Sequence, residues 1–194
     1  MGLNFDLLEQ LTFYGSYHNN KWNQASADIS HHMVPCCRLG IYRTSFPVSS
    51  HLLPLLASLP AWLSSSLQLN AAFLALAAYS LYYLCLEPVA GLSWTACVGV
   101  PLWTTATVFQ QQVPHAWQWA LLVHVFSWYM QIHPGHAILE GRKPAVLDSL
   151  VQAITLAPLF VWFELLFLLG YRPELYKQLQ QRVTASITAH KRQL

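Results

Sequence analysis

The sequence predicts an all-α fold: a polytopic transmembrane helical bundle of about four to five spans, with an N-terminal amphipathic helix. It reads as a single integral membrane domain over residues 1–194. Three observations predict this. Charged residues make up 9% of the chain, against about 25% in an average soluble protein. Hydrophobic residues make up 55%. Between Arg43 and Glu140 the only Asp, Glu, Lys or Arg is Glu87. Water-exposed loops rarely run that far without a charge, whereas a charge at the centre of a membrane helix costs about 2.5–3.5 kcal/mol on insertion scales.

The elements follow in order. Residues 3–17 carry Leu3, Phe5, Leu7, Leu8, Leu11 and Phe13 among polar neighbours, the pattern of a short amphipathic helix at an interface. The stretch up to residue 47 is polar and holds His18, His31 and His32. Apolar segments then cover about 49–66, 68–86, 92–110, 115–132 and 149–170. Glu87-Pro88 closes the second, which is the cleanest span, and prolines in the first, third and fifth imply kinks or re-entrant geometry. Tryptophans near the segment ends fit an aromatic belt. A polar loop over 133–148 separates the last two segments, and a basic tail over 171–194 carries Arg172, Lys177, Arg182, Lys191 and Arg192. Such a tail suits either an anionic leaflet or a solvated helix face.

Several classes are excluded. A net charge of +2 with no basic stripe gives no nucleic-acid surface. Cys36, Cys37, Cys85 and Cys97 show no CxxC spacing, so neither a disulfide framework nor a zinc finger is expected. The first ten residues lack a basic region before an apolar run and are not a secretory signal. Signatures of NTP, dinucleotide, serine-hydrolase and zincin chemistry are missing.

Nine histidines in so uncharged a chain are the informative feature. Most fall in 18–32 and 133–136. If each of the four apolar segments between these regions crosses a membrane, both regions face the same side. Neutral imidazole is the commonest metal ligand, and several histidines with one carboxylate suit iron, zinc or copper. His136 and Glu140 are four apart, which on a helix puts them on one face. His133 lies three before His136, and Arg142 and Asp148 follow as supporting groups.

Two blocks resemble the fungal 2-hydroxy fatty acid (2-hydroxy-palmitic acid) dioxygenase family. The first is Phe13-Tyr14-Gly15-Ser16-Tyr17-His18-Asn19, followed by a histidine just upstream of Val34-Pro35. The second is Gln131, Gly135-His136, Glu140, Arg142, Pro144-Ala145, Asp148 and the run from Leu150 to Pro173. The stretch between His18 and Val34 is longer here than in the family. The resemblance implies a multi-pass endoplasmic-reticulum enzyme that uses Fe(II) and dioxygen to shorten a 2-hydroxy long-chain fatty acid by one carbon, in fatty acid alpha-oxidation and phytosphingosine breakdown. It implies His18, one of His31 or His32, and His136 as iron ligands, with Glu140 as a further ligand or orienting group. His18, His136 and Glu140 would then be catalytic. Arg142 or Lys143 would pair with the substrate carboxylate, with Asp148 and His133 nearby, and the acyl chain would lie among the spans.

Two other readings stay open at this point: a non-catalytic lipid-binding membrane protein of the same fold, and a metal-free membrane cyclase of fungal secondary metabolism that works through a carboxylate such as Glu140 or Glu164. Five crossings would put the basic tail opposite the histidine regions. A re-entrant fifth segment would put both on the cytoplasmic side, the placement favoured for access to Fe(II).

Overall fold

The computed structural model describes residues 5–18, 70–130, 132–133, 138 and 149–192, and these are all-α. α1 (Leu7–Tyr17) starts at Asp6, whose side chain accepts from the Glu9 amide at 2.9 Å. α2 (Ala71–Leu86) starts at Asn70, which caps the Phe73 amide. Glu87 then ends α2 and begins α3 (Pro88–Trp94), where its carboxylate accepts from the Ala90 amide. The helix boundary thus falls at Glu87-Pro88. Proline suits the first helical turn because its missing N–H has no partner there in any case.

A π turn, Thr95–Gly99, links α3 to α4 (Val100–Gln112) without a break. Its cause is Pro101, which has no N–H for the Cys97 carbonyl. The helix widens ahead of it, with the Val100 amide bonding back to Thr95. α5 (Ala116–Met130) follows a tight turn at Val113–His115, where His115 adopts a left-handed φ of 55°. α6 (Leu150–Leu168) is capped by Ser149, and α7 (Pro173–Lys191) completes the chain.

The core is layered. α1 sits between α6 and α7, while the other side of α6 packs on α3 and reaches α2. Leu7, Leu11 and Tyr14 bury one stripe of α1, and Leu175, Leu179 and Val183 bury one stripe of α7. The amphipathic helix predicted at the N-terminus is present, but its apolar stripe is covered by protein. The basic tail is likewise a structured helix with an apolar stripe facing inward.

Pro158 lies inside α6 and deprives the Ile154 carbonyl of its usual donor. Two tyrosines of α2 meet the loosened turn: Tyr79 donates to the Ile154 carbonyl at 3.3 Å and Tyr83 to the Thr155 carbonyl at 2.7 Å. Tyr83 is fully buried, with its ring edge-on to Trp94. Tyr83→Phe keeps that packing and removes one hydrogen bond to the Thr155 carbonyl, so it is expected to cost about 0.5–1.5 kcal/mol. Thermal unfolding of the purified protein in detergent measures this, and an unchanged midpoint would count against the hydroxyl's role.

A second polar tie joins the ends of α2 and α6. Tyr171 donates to Glu87 at 3.1 Å, and Arg172, exposed and left-handed at φ 46°, stands 3.9 Å from the same carboxylate oxygen. Desolvation, then the hydrogen bond and charge of Glu87, push the Tyr171 phenol above its ordinary 10.0, with Arg172 opposing. The sign follows: the neutral phenol is favoured in the folded state. That contribution is complete below the unfolded value and is lost as pH rises through the folded one. Wild type should therefore lose stability above about pH 10 more steeply than Tyr171→Phe, as pH-dependent unfolding of the two would show.

Exposed residues divide by element. On α2, α3 and the π turn they are apolar, with Leu74, Leu81, Val89 and Leu92 all more than half exposed. α5 exposes Trp117, Trp119, Leu122, Val125, Phe126 and Tyr129. α7 exposes Lys177, Gln181 and Arg182 instead. Among the described residues one helix, Pro88–Gln112, is long and apolar enough to cross a membrane, with 25 residues and a mean hydropathy of 1.2. Ala72–Leu86 and Ile154–Leu168 are apolar but shorter. The segment at 49–66 lies outside the described residues.

Candidate functional site

His18 is the one sequence-predicted iron ligand within the described residues. It caps the end of α1, with its backbone amide on the Gly15 carbonyl. Its side chain is buried, and the imidazole lies parallel to the Tyr14 ring, 4° apart in plane and 4.2 Å between centroids. Nδ1 is 3.3 Å from the Tyr14 carbonyl oxygen. With the proton on Nδ1, donated to that carbonyl, the imidazole lone pair is on Nε2. Metal-bound histidines are commonly oriented this way, with the second nitrogen donating to a carbonyl or carboxylate. The environment of His18 thus fits a ligand to iron.

The helix carrying His18 is fixed by two contacts with α6. Gln152 donates to Gln10 at 3.0 Å across a pair in which Gln10 is almost fully buried. Further along, Tyr14 packs on Phe160 at 4.9 Å. Gly15 marks the closest approach. A Cβ there would stand 3.1 Å from Val183 of α7 and 3.3 Å from Phe160 of α6. From Gln10 to Gly15 the contacts on α6 move from Gln152 to Phe160, so α1 and α6 run in the same sense. The Gln10–Gln152 tie and the Tyr14 shelf were missed in the sequence. The i, i+4 spacing of Tyr14 and His18 was the available signal.

His133 is exposed and stacks on Tyr129 at 5.6 Å, one turn back in the chain. His31, His32, His136, Glu140, Arg142, Lys143 and Asp148 lie outside the described residues. Among the described residues no three His, Cys, Asp or Glu side chains come together. Of the expected ligand set, the described residues thus include His18 alone, with the helices that hold it in place.

Comparison with known proteins addresses the rest of the chain. The family model described as 2-hydroxy-palmitic acid dioxygenase Mpo1-like matches residues 5–169. The 2-hydroxy-palmitic acid dioxygenase MPO1 of Saccharomyces cerevisiae is 46% identical over 54 residues, which is 28% of this chain and 30% of that relative's length. No solved structure matches. The family match starts just ahead of α1 and ends just beyond α6, so it takes in α1, which ends at His18, and α6, on which α1 packs. The chain belongs to the Mpo1-like family of 2-hydroxy-palmitic acid dioxygenases.

Proposed function

We propose that this protein is a membrane-embedded, non-haem Fe(II) dioxygenase that shortens 2-hydroxy long-chain fatty acids by one carbon. The family match over residues 5–169 carries the reading, and the name of the yeast relative gives the substrate class. The buried, carbonyl-oriented imidazole of His18 supports it from the geometry.

The iron would be held by His18, one of His31 or His32, and His136, with Glu140 as a fourth ligand or an orienting group. Three imidazoles and a carboxylate form a donor set suited to Fe(II). Once bound, the metal supplies a Lewis-acidic centre where dioxygen and the hydroxyl and carboxylate of the substrate meet. The chain's own groups do the remaining work. The Tyr14 carbonyl holds the His18 tautomer. Arg142 or Lys143 binds the substrate carboxylate, while Asp148 and His133 border the polar end of the site. The apolar helices take the acyl chain.

The membrane reading rests on the apolar exposed faces of α2, α3 and α5 and on the single charge between Arg43 and Glu140. Contiguous apolar surface on this scale is rare on soluble monomers. A bundle of four to five apolar segments in the endoplasmic-reticulum membrane is the arrangement proposed. The test is direct. Purified protein supplied with Fe(II), air and 2-hydroxypalmitate should consume one dioxygen per substrate and release pentadecanoic acid, the lost carboxyl carbon leaving as carbon dioxide together with one water. Substrate that stays intact with folded, iron-supplied protein would overturn the enzymatic reading and leave a lipid-binding role.

A further inference from the structure

α6 carries no charge along its length, with one exception. Between Asp148 and Arg172 the only Asp, Glu, Lys or Arg is Glu164. Its side of the helix is covered. Ala157, Phe160 and Val161 precede it by seven, four and three residues, so they share that side, and all three are buried. Glu164 itself is partly buried.

The register of α1 against α6 fixes what stands beside it. Gln10 meets Gln152, and Tyr14 and Gly15 meet Phe160. The two helices run in the same sense, so the contact advances toward the C-terminal end of both. One further turn, about 6 Å, takes α1 from Tyr14 to His18 and α6 from Phe160 to Glu164. Gln152, Leu156, Phe160 and Glu164 climb α6 in steps of four. The first and third of these touch α1, the second is almost fully buried, and the fourth is level with His18.

Two donor groups thus come to one level on packed helices. With the Nδ1 proton of His18 given to the Tyr14 carbonyl, the imidazole presents its Nε2 lone pair. A carboxylate in an apolar helix is held ionised by a compensating positive charge. An imidazole lone pair and a carboxylate gathered at one level are complementary to a cation that accepts from both, and this pairing of nitrogen and oxygen donors suits Fe(II). Resting on the iron reading above, we propose that Glu164 is a carboxylate ligand to the iron in the substrate-free protein, supplied by α6 beside His18. Glu140 stands in the polar stretch ahead of α6, whereas Glu164 is held by the helix itself. The packing of α1 on α6 then sets the positions of two ligands at once.

Metal binding by the full chain tests this, with wild type, Glu164→Gln and Glu164→Asp purified anaerobically in detergent without substrate. Glu164→Gln keeps the shape of the side chain and removes its charge. Competition with a coloured Fe(II) chelator reads affinity, and the visible absorption of the Co(II)-loaded protein reads the ligand set. Glu164→Gln should weaken Fe(II) binding by at least about 10-fold and shift the Co(II) bands while keeping wild-type helical content. Glu164→Asp should restore part of the affinity with bands that still differ from wild type. Helical Glu164→Gln protein with wild-type Co(II) bands, whatever its affinity, would overturn the inference alone and leave Glu164 a structural group. Should Glu164→Gln fail to fold, Glu164→Asp decides in its place: altered bands support the assignment and wild-type bands with wild-type affinity overturn it. Folded wild type that binds no Fe(II) would overturn the iron reading and the inference with it.

Discussion

His18→Ala is expected to remove bound iron and bring turnover to background while the helical bundle stays folded. The two effects separate because of where His18 sits. It follows the last turn of α1, beyond the buried stripe of Leu7, Leu11 and Tyr14 that joins α1 to α6 and α7. Its loss removes, among its contacts, a stack on Tyr14 and a long hydrogen bond to that residue's carbonyl, a stability cost of about 1 kcal/mol. Loss of a metal-ligating imidazole has no such cushion. In the proposed centre the remaining donors would hold Fe(II) with one strong ligand fewer, and even groups that only orient a ligand matter by about 10–100-fold in metal affinity or activity. Iron content, product formation and helical content measured on one preparation distinguish the effects. A folded His18→Ala protein with wild-type iron and activity would exclude His18 from the site.

Gly91→Ala is expected to be the most damaging single change to the fold. A Cβ at Gly91 would stand 2.6 Å from the Leu84 nitrogen and the Tyr83 carbonyl carbon, and 2.7 Å from the Tyr83 carbonyl oxygen. All three are backbone atoms of α2, so no side chain can move aside. The α2–α3 corner must open, disturbing Tyr83, Trp94 and the Glu87 cap together. Overpacking of well-packed cores costs about 1–3 kcal/mol and occasionally more, and backbone overlap at a corner belongs to the upper end. A sharp fall in folded yield or unfolding midpoint, set against a mild effect of Gly170→Ala at an open turn position, would bear this out. A methyl group added at Gly170 would meet nothing within 4 Å, but the backbone there has φ 83°, so its own cost is conformational strain. Wild-type stability of Gly91→Ala would contradict the close approach.

The apolar runs made α2, the Pro88–Gln112 helix, α5 and α6 legible, because each is long and bounded by polar or proline residues. Glu87-Pro88 was readable as a boundary for the same reason: one residue ends a helix and caps the next. Other features depend on partners distant in sequence. Pro158 announces a kink, but not that Tyr79 and Tyr83 would satisfy it. Leu175, Leu179 and Val183 recur at four-residue spacing, yet the basic residues around them dominate the composition, so the tail's inward stripe was not read. The stripe of α1 was visible, whereas its burial against α6 and α7 was not, since an amphipathic face does not name what covers it. His18 came to notice through a short block of resemblance. Its carbonyl-oriented imidazole is a property of the folded helix end, which no spacing encodes. The packing of α6 on α2 depends on hydrogen bonds between residues more than seventy positions apart.

The proposed iron centre draws its histidines from both ends of the family match. Its most direct test is the iron content of the full chain purified anaerobically in detergent, for wild type and His136→Ala. Stoichiometric iron is expected in the wild type and its loss in the mutant, with both proteins equally helical. Well-folded wild-type protein that binds no stoichiometric iron when Fe(II) is supplied would contradict it.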